Sequence, residues 1–177
     1  MEIRALREGD DRSLFHSGER DLDRFFHQFA GQNQFKHYVG VSYVAVEAYR
    51  ILGFVTVAPG HIEIEGLPAP VRKKLPRYPL PVLRLARLAV DESARGQGLG
   101  AQLLRFVLNL AVRMANEYGC VGVVVDAKPG AVDFYAKYGF MRVAAVEGLS
   151  DTRPQPIPMF LSMRAVAALT APLPNKH

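Results

Sequence analysis

Leu85-Ala86-Arg87-Leu88-Ala89-Val90-Asp91-Glu92-Ser93-Ala94-Arg95-Gly96-Gln97-Gly98-Leu99-Gly100 is the stretch on which the fold turns. Residues 82–90 have the apolar, β-branched character of a strand, and Asp91-Glu92-Ser93-Ala94 ends it. After the glycines, Leu99, Leu103, Phe106, Val107, Leu110 and Met114 recur at helical spacing, which predicts a long helix to about Tyr118 with Gly119 as its stop. Glycine permits positive φ and lets a ligand approach backbone N–H groups with no Cβ in the way. The helix start adds unpaired donors and a positive dipole end, so the turn suits a phosphate or pyrophosphate, with Arg95 contributing a full charge. Close packing of strand on helix would explain one glycine. It does not explain three in five residues.

Downstream, residues 121–125 are almost wholly apolar, which predicts a strand buried on both faces and paired in parallel. Pro129 opens a short helix with Phe134 and Tyr138 one turn apart, and Gly139 closes it. Strand-like pieces at 140–145 and 157–166 finish the chain. Upstream, residues 1–6 suit a strand, and Leu22, Phe25, Phe26 and Phe29 form one apolar helix face, weakened after Gly31. Residues 41–48 and 51–58 read as a hairpin turned at Tyr49-Arg50. Six prolines between 59 and 81 predict turns there, with a short helix near 69–75. The order predicts an α/β fold with a mixed sheet whose parallel pair is joined across the glycine turn.

With 177 residues, the chain is expected to form a single domain, 1–177, burying about 70% of its unfolded surface without disulfide or metal. Apolar residues at 49% and charged residues at 22% exclude a disordered or fibrous chain. No apolar run approaches a membrane span, and Met1-Glu2-Ile3-Arg4 lacks the pattern of a signal peptide. Cys120 is alone, and the five histidines never fall at metal-ligand spacing, so no metal is expected. A cytoplasmic location follows from these readings. The net charge is +5, concentrated in Arg72, Lys73, Lys74 and Arg77, with Arg84, Arg87 and Arg95 beyond. A solvated loop would carry such a run; so would a site for a phosphate-rich ligand.

The loop is not a P-loop, since Gly100-Ala101-Gln102 stands where Gly-Lys-Ser/Thr is required. As G-x-G-x-x-A, residues Gly96, Gly98 and Ala101, with Asp126 at ribose distance, match a dinucleotide fingerprint and a nucleotide-dependent oxidoreductase. That fingerprint belongs on a first strand, and some 80 residues of other elements precede this one.

Arg95-Gly96-Gln97-Gly98-Leu99-Gly100 resembles the acetyl-CoA signature of the GCN5-related N-acetyltransferase (GNAT) family, Arg/Gln-x-x-Gly-x-Gly/Ala. Phe134-Tyr135-Ala136-Lys137-Tyr138-Gly139-Phe140 resembles the family's second motif, at the family's spacing. The likeness is clearest over about 82–142, the expected acetyl-CoA-binding core. A narrower resemblance, to the GNAT toxins of bacterial toxin–antitoxin pairs, rests on Phe15-His16-Ser17-Gly18, Leu22-Asp23-Arg24-Phe25 and Arg72-Lys73-Lys74-Leu75-Pro76. Those toxins often have cysteine where this chain has Ser17.

The resemblance implies a mostly antiparallel central sheet with a splayed parallel pair and flanking helices. It implies transfer of an acetyl group from acetyl-CoA to a primary amine, with coenzyme A as product. Backbone groups of Leu88, Ala89 and Val90 would pair with the pantetheine arm, and an N–H near Val90 would face the developing oxyanion. Arg95, Gly96, Gln97, Gly98, Leu99 and Gly100 would cradle the pyrophosphate, and Phe134 would line the cofactor groove. Tyr135 is the general acid by motif position, while Tyr138 reads as plain core. No carboxylate stands on the strand before the loop, where many members carry a glutamate. An α-amine of pKa about 8 needs less help than a lysine of about 10.4, which favours an α-amino acceptor, as on aminoacyl-tRNA. His61 and Asp126 remain open as bases. Arg72, Lys73, Lys74, Arg84 and Arg87 would then meet tRNA phosphates. A small antitoxin protein and a homodimer are the further partners this reading allows; a membrane is not. A non-catalytic acyl-CoA-binding or regulatory module is the alternative on the same fold.

Overall fold

The computed structural model describes residues 1–143 and 155–171. In chain order the elements are β1 (Glu2–Ala5), α1 (Arg20–Arg24), a π-helical turn (Phe25–Phe29), α2 (Ala30–Phe35), β2 (Val41–Glu47), β3 (Arg50–Ile62), α3 (Ala69–Arg72), β4 (Leu80–Val90), α4 (Leu99–Glu117), β5 (Gly122–Ala127), α5 (Val132–Ala136), β6 (Met141–Arg142), β7 (Ile157–Ser162) and α6 (Met163–Thr170). Among the described residues the strands form a seven-stranded sheet in the order β1-β2-β3-β4-β5-β7-β6, flanked by helices. The sheet is mostly antiparallel. Its parallel pair is β4–β5, joined by the crossover through α4, as the sequence predicts.

The chain divides into two compact units, each made of two segments. The first unit comprises Met1–Ala58 and Leu85–Val107. Its core gathers Phe15, Phe25, Phe26, Val44, Ile51, Phe54 and Ala89, with Phe26 stacked on Phe54 at 4.2 Å and Phe15 edge-on to both. The β2–β3 turn places Ala48 and Tyr49 at positive φ (47° and 68°), which suits the twist of a tight hairpin. A Cβ on Gly53 would meet the Ala89 carbonyl oxygen at 3.2 Å and side chains of Leu99 and Leu103. This glycine lets the start of α4 lie close on the sheet.

The second unit comprises Pro59–Arg84 and Leu108–His177. Ile62, Leu67, Leu80, Val82, Val124 and Phe160 form its core. The Val121 N–H donates to the Pro81 carbonyl at 2.8 Å, at the start of the parallel pair. β5 is buried at five of six positions and pairs antiparallel with β7, from Gly122 opposite Ser162 to Ala127 opposite Ile157. Gly122 has no room for a side chain, since its Cβ would lie 2.3 Å from the Leu161 carbonyl oxygen.

Four expectations are corrected. The early helix does not fade after Gly31: the π-helical turn realigns it and it runs on to Phe35. β3 continues through Pro59 to Ile62, so the proline-rich turns begin later, with a 3₁₀ turn at Ile64–Gly66 and an α-helix at Ala69–Arg72. The strand expected over 157–166 ends at Ser162, whose hydroxyl accepts from the Ala165 N–H and starts α6. The piece expected over 140–145 is a strand only at Met141–Arg142, with Val143 hydrogen-bonded to Pro158; residues 144 and 145 lie outside the described residues.

Candidate functional site

In the first unit, β4 runs into a turn whose hub is Asp91, 2% exposed. Its carboxylate accepts from the His16 N–H at 2.8 Å, from the N–H and hydroxyl of Ser93, and from Arg50 at 3.4 Å. Its own N–H donates to the Leu52 carbonyl at 2.8 Å. Burial pushes this carboxyl up, but the bonds from Ser93 and His16 and the charge of Arg50 outweigh it and leave it below the usual range. The Glu92 N–H donates back to the His16 carbonyl, and the Arg95 guanidinium donates to the Ser17 carbonyl. A Cβ on Gly18 would collide with Glu92 and Arg95. Residues 15–18 thus form a strap across the entry to the glycine loop. Ser17 closes it, buried, with its N–H and hydroxyl on Asp23 at 2.9 and 2.7 Å.

Gly96 and Gly98 adopt φ of +75° and +78°, and no atom lies within 4 Å of a Cβ built on either. The Gln102 N–H makes the first bond of α4, to the Gly98 carbonyl at 3.2 Å. Leu99, Gly100 and Ala101 therefore begin the helix with N–H groups that have no partner inside it. Open space beside left-handed glycines, ahead of unpaired donors on a 19-residue helix, fits a pyrophosphate. Arg95 is exposed, yet one of its nitrogens is held by the strap. Ala89 is buried, while Leu88 and Val90 are half-buried on the strand leading in. Arg87 lies half-buried with its guanidinium carbon 3.7 Å from the Phe25 ring centroid.

In the second unit, the Pro129–Ala131 turn leads into α5, which carries Tyr135. Tyr135 is 5% exposed and stands edge-on to Phe134 and Phe140, at 5.1 and 5.4 Å. Burial pushes its phenol well above the ordinary tyrosine value. Gly139, at φ +96°, ends the helix and lets the Phe140 N–H return to the Tyr135 carbonyl at 3.3 Å. Tyr138, expected in the core, is half-exposed against Phe134 and Lys137; the buried tyrosine is Tyr135. α5 is one and a half turns long and keeps one ring inward. Arg84 is half-buried and bound to Asp126 at 2.9 Å, across the parallel pair. That pair answers two expectations: Arg84 has its charge matched within the protein, and Asp126 is committed to it. Arg72, Lys73 and Lys74 are all exposed on α3 and the residues after it, and none pairs with a carboxylate among the described residues. His61 is exposed on β3. Among the described residues no His, Cys, Asp and Glu side chains gather as metal ligands, and no helix is long and apolar enough to cross a membrane.

The strap hub and the Phe25 ring are absent from the sequence-based site. Asp91-Glu92-Ser93 does carry the local pattern of an aspartate capping a turn, which is the one available signal.

Residues 39–142 match the family model for an acetyltransferase (GNAT) domain. The chain belongs to the GNAT acetyltransferase family. It is 35% identical over 140 residues to the tRNA-acetylating toxin of Mycobacterium tuberculosis, covering 77% of this chain and 82% of that protein. The solved structure of AtaTR bound with AcCoA superposes with a TM-score of 0.77 at 25% identity, covering 96% of this chain and 98% of that one. AtaT complexed with acetyl-methionyl-tRNAfMet has the same fold, with a TM-score of 0.81 at 24% identity over 96% and 99% of the two chains. As a member of this GNAT family the protein is an acyltransferase with acetyl-CoA as its donor. The dinucleotide reading falls, because the glycine turn follows the fourth strand and Asp126 binds Arg84.

Proposed function

We propose that this acetyltransferase acts on the α-amine of an aminoacyl-tRNA. The observation that carries the reading is the 35% identity, over 77% of the chain, to a protein named as a tRNA-acetylating toxin. The site's chemistry supports it. β4 offers no carboxylate, and Asp126 is committed to Arg84, so neither supplies a strong base. An α-amine of pKa about 8 is already partly neutral near pH 7 and needs at most a water to take its proton.

Acetyl-CoA, when bound, supplies the acetyl thioester. The N–H groups at the start of α4, the open backbone of Gly96, Gln97 and Gly98, and Arg95 bind the pyrophosphate. Leu88, Ala89 and Val90 hold the pantetheine arm through backbone hydrogen bonds, and the Val90 N–H faces the carbonyl oxygen where charge develops. Phe134 lines the groove. Tyr135 keeps its proton because its phenol is buried, and hands it to the departing sulfur. Arg72, Lys73 and Lys74, exposed and without carboxylate partners among the described residues, meet tRNA phosphates; Arg84 contributes least, being paired.

The chain works as one acetyltransferase domain, because β3, β4 and α4 each pass from one unit to the other and neither unit is a continuous segment. A cytoplasmic location follows from an unpaired Cys120 and a substrate pair of acetyl-CoA and tRNA. A small antitoxin is the expected protein partner, in line with the toxin–antitoxin character of the relatives. The test is transfer of labelled acetyl from acetyl-CoA to a panel of aminoacyl-tRNAs and to lysine peptides. Modification of the α-amine on at least one aminoacyl-tRNA is expected; exclusive lysine acetylation would overturn the reading.

A further inference from the structure

Four arginines are half-buried among the described residues: Arg4, Arg12, Arg84 and Arg87. Arg4 is bidentate on Asp10, Arg84 holds Asp126 and Arg12 donates to the Phe26 carbonyl. Arg87 has neither kind of partner. It is half-buried in the middle of β4, and none of the described carboxylates pairs with it. Its guanidinium instead lies against the face of Phe25, which is 6% exposed and so fixed in place. Burial alone pushes the guanidinium down from its ordinary value. A ring face attracts a cation but takes the place of no ordinary acceptor for its five N–H donors.

The ring that holds Arg87 has an unusual origin. Phe25 opens the π-helical turn Phe25–Phe29, whose wide bond runs from the Ala30 N–H to the Phe25 carbonyl. Such turns are rare and recur at functional sites. No buried side-chain nitrogen or oxygen among the described residues lacks a partner, so the Arg87 donors that make no protein bond reach solvent, where an anion can take them. The guanidinium fork matches the oxygens of a phosphate.

We infer that Arg87, held on the Phe25 ring, binds a phosphodiester of the acceptor, next to the aminoacylated nucleotide. The inference rests on the proposed aminoacyl-tRNA acceptor. Acetyl-CoA also carries phosphates, but the glycine loop already offers donors for its pyrophosphate, whereas the solvent-facing donors of Arg87 have no carboxylate on them among the described residues. In an aminoacyl-tRNA the phosphodiester of the terminal nucleotide is the anion nearest the reacting amine. A cation there would select acceptors that bear this phosphate and position the amine.

The experiment compares wild type with Arg87→Met, which keeps much of the stem packing, and Arg87→Lys, which keeps the charge. Binding of deacylated tRNA is measured across a salt series. Steady-state kinetics use aminoacyl-tRNA and a 3′-aminoacyl adenosine that lacks the phosphodiester, and thermal unfolding reports the fold. For Arg87→Met, tRNA affinity and kcat/KM for aminoacyl-tRNA should fall about tenfold or more. The salt slope should shrink by about 0.7–0.9. The aminoacyl adenosine should lose little, the KM for acetyl-CoA should hold, and Tm should stay or rise, because an unanswered cation has been removed. Arg87→Lys should recover part of the loss. Equal losses on both acceptors would make Arg87 a structural residue and overturn the inference. A raised acetyl-CoA KM with tRNA binding intact would assign the phosphate to the donor and overturn it equally. Arg87-dependent tRNA binding without acetylation of any aminoacyl-tRNA would sink the proposed function and leave the phosphate site standing. Normal tRNA binding and turnover by Arg87→Met would do the reverse.

Discussion

At the scale of single residues, the two tyrosines of α5 separate cleanly. Tyr135 is enclosed by Phe134 and Phe140, while Tyr138 is half-exposed on another side of the helix. A general acid must be protonated when the thiolate leaves, and a phenol raised by burial meets that condition across the working pH range. Tyr135→Phe keeps the ring contacts and removes the proton. Turnover should fall about 10²–10⁴-fold with acetyl-CoA affinity nearly unchanged, whereas Tyr138→Phe should stay close to wild type in the same assay. The raised phenol also fixes the sign of the pH profile. kcat/KM should climb through the amine's pKa of about 8 and show no fall near 10, where an ordinary tyrosine ionises. A descending limb centred near 10 that vanishes in Tyr135→Phe would contradict the burial.

The glycine loop and its strap act as elements. Gly98 needs its left-handed φ and the empty space beside it, so Gly98→Asp strains the backbone, fills the approach and adds a repelling charge. Calorimetry should show acetyl-CoA binding weakened by at least about tenfold, since even one charged hydrogen bond is worth that much. Binding at wild-type strength would place the cofactor elsewhere. Asp91 ties the strap to the loop entry, and Asp91→Asn should cost about 1–3 kcal/mol at neutral pH through lost charged hydrogen bonds. Because the folded carboxyl lies below its ordinary value of 3.8, its stabilisation is complete above that pH and is lost as pH falls through the lower folded value. In urea unfolding, the gap between wild type and Asp91→Asn should therefore narrow as the solution is acidified below about 3.8.

For the whole molecule, a net charge of +5 sets a general attraction for nucleic acid, and its distribution decides where that attraction is used. Arg84 is internally matched; Arg72, Lys73 and Lys74 are exposed with no described carboxylate on them. Neutralising those three to glutamine should weaken tRNA binding and reduce the salt slope by up to about 2, at roughly 0.7 per contact with a single strand. Acetyl-CoA binding should not change. An unaltered slope would leave the segment as a solvated surface.

The order of strands and helices, the glycine turn at the head of α4 and the buried parallel β5 were legible in the chain. Each is written in a local pattern: apolar periodicity, a glycine at positive φ, a continuous apolar run. The short helix that carries Tyr135 was legible too, from Pro129 and Gly139, though not that Tyr135 is the tyrosine it buries and Tyr138 the one it leaves half-exposed. The strand through Pro59, the π-helical turn and the helix after Ser162 were decided by tertiary structure, which overrides local preference where packing repays it. The same holds for the charges. Arg84 and Arg87 stand three apart on one strand and look alike in sequence, yet one meets Asp126, 42 residues on, and the other meets Phe25, 62 residues back. Composition counts both as equal positive charges. Only the folded chain, by bringing a carboxylate to one and an aromatic ring to the other, leaves a single guanidinium of the two with its charge unmatched among the described residues.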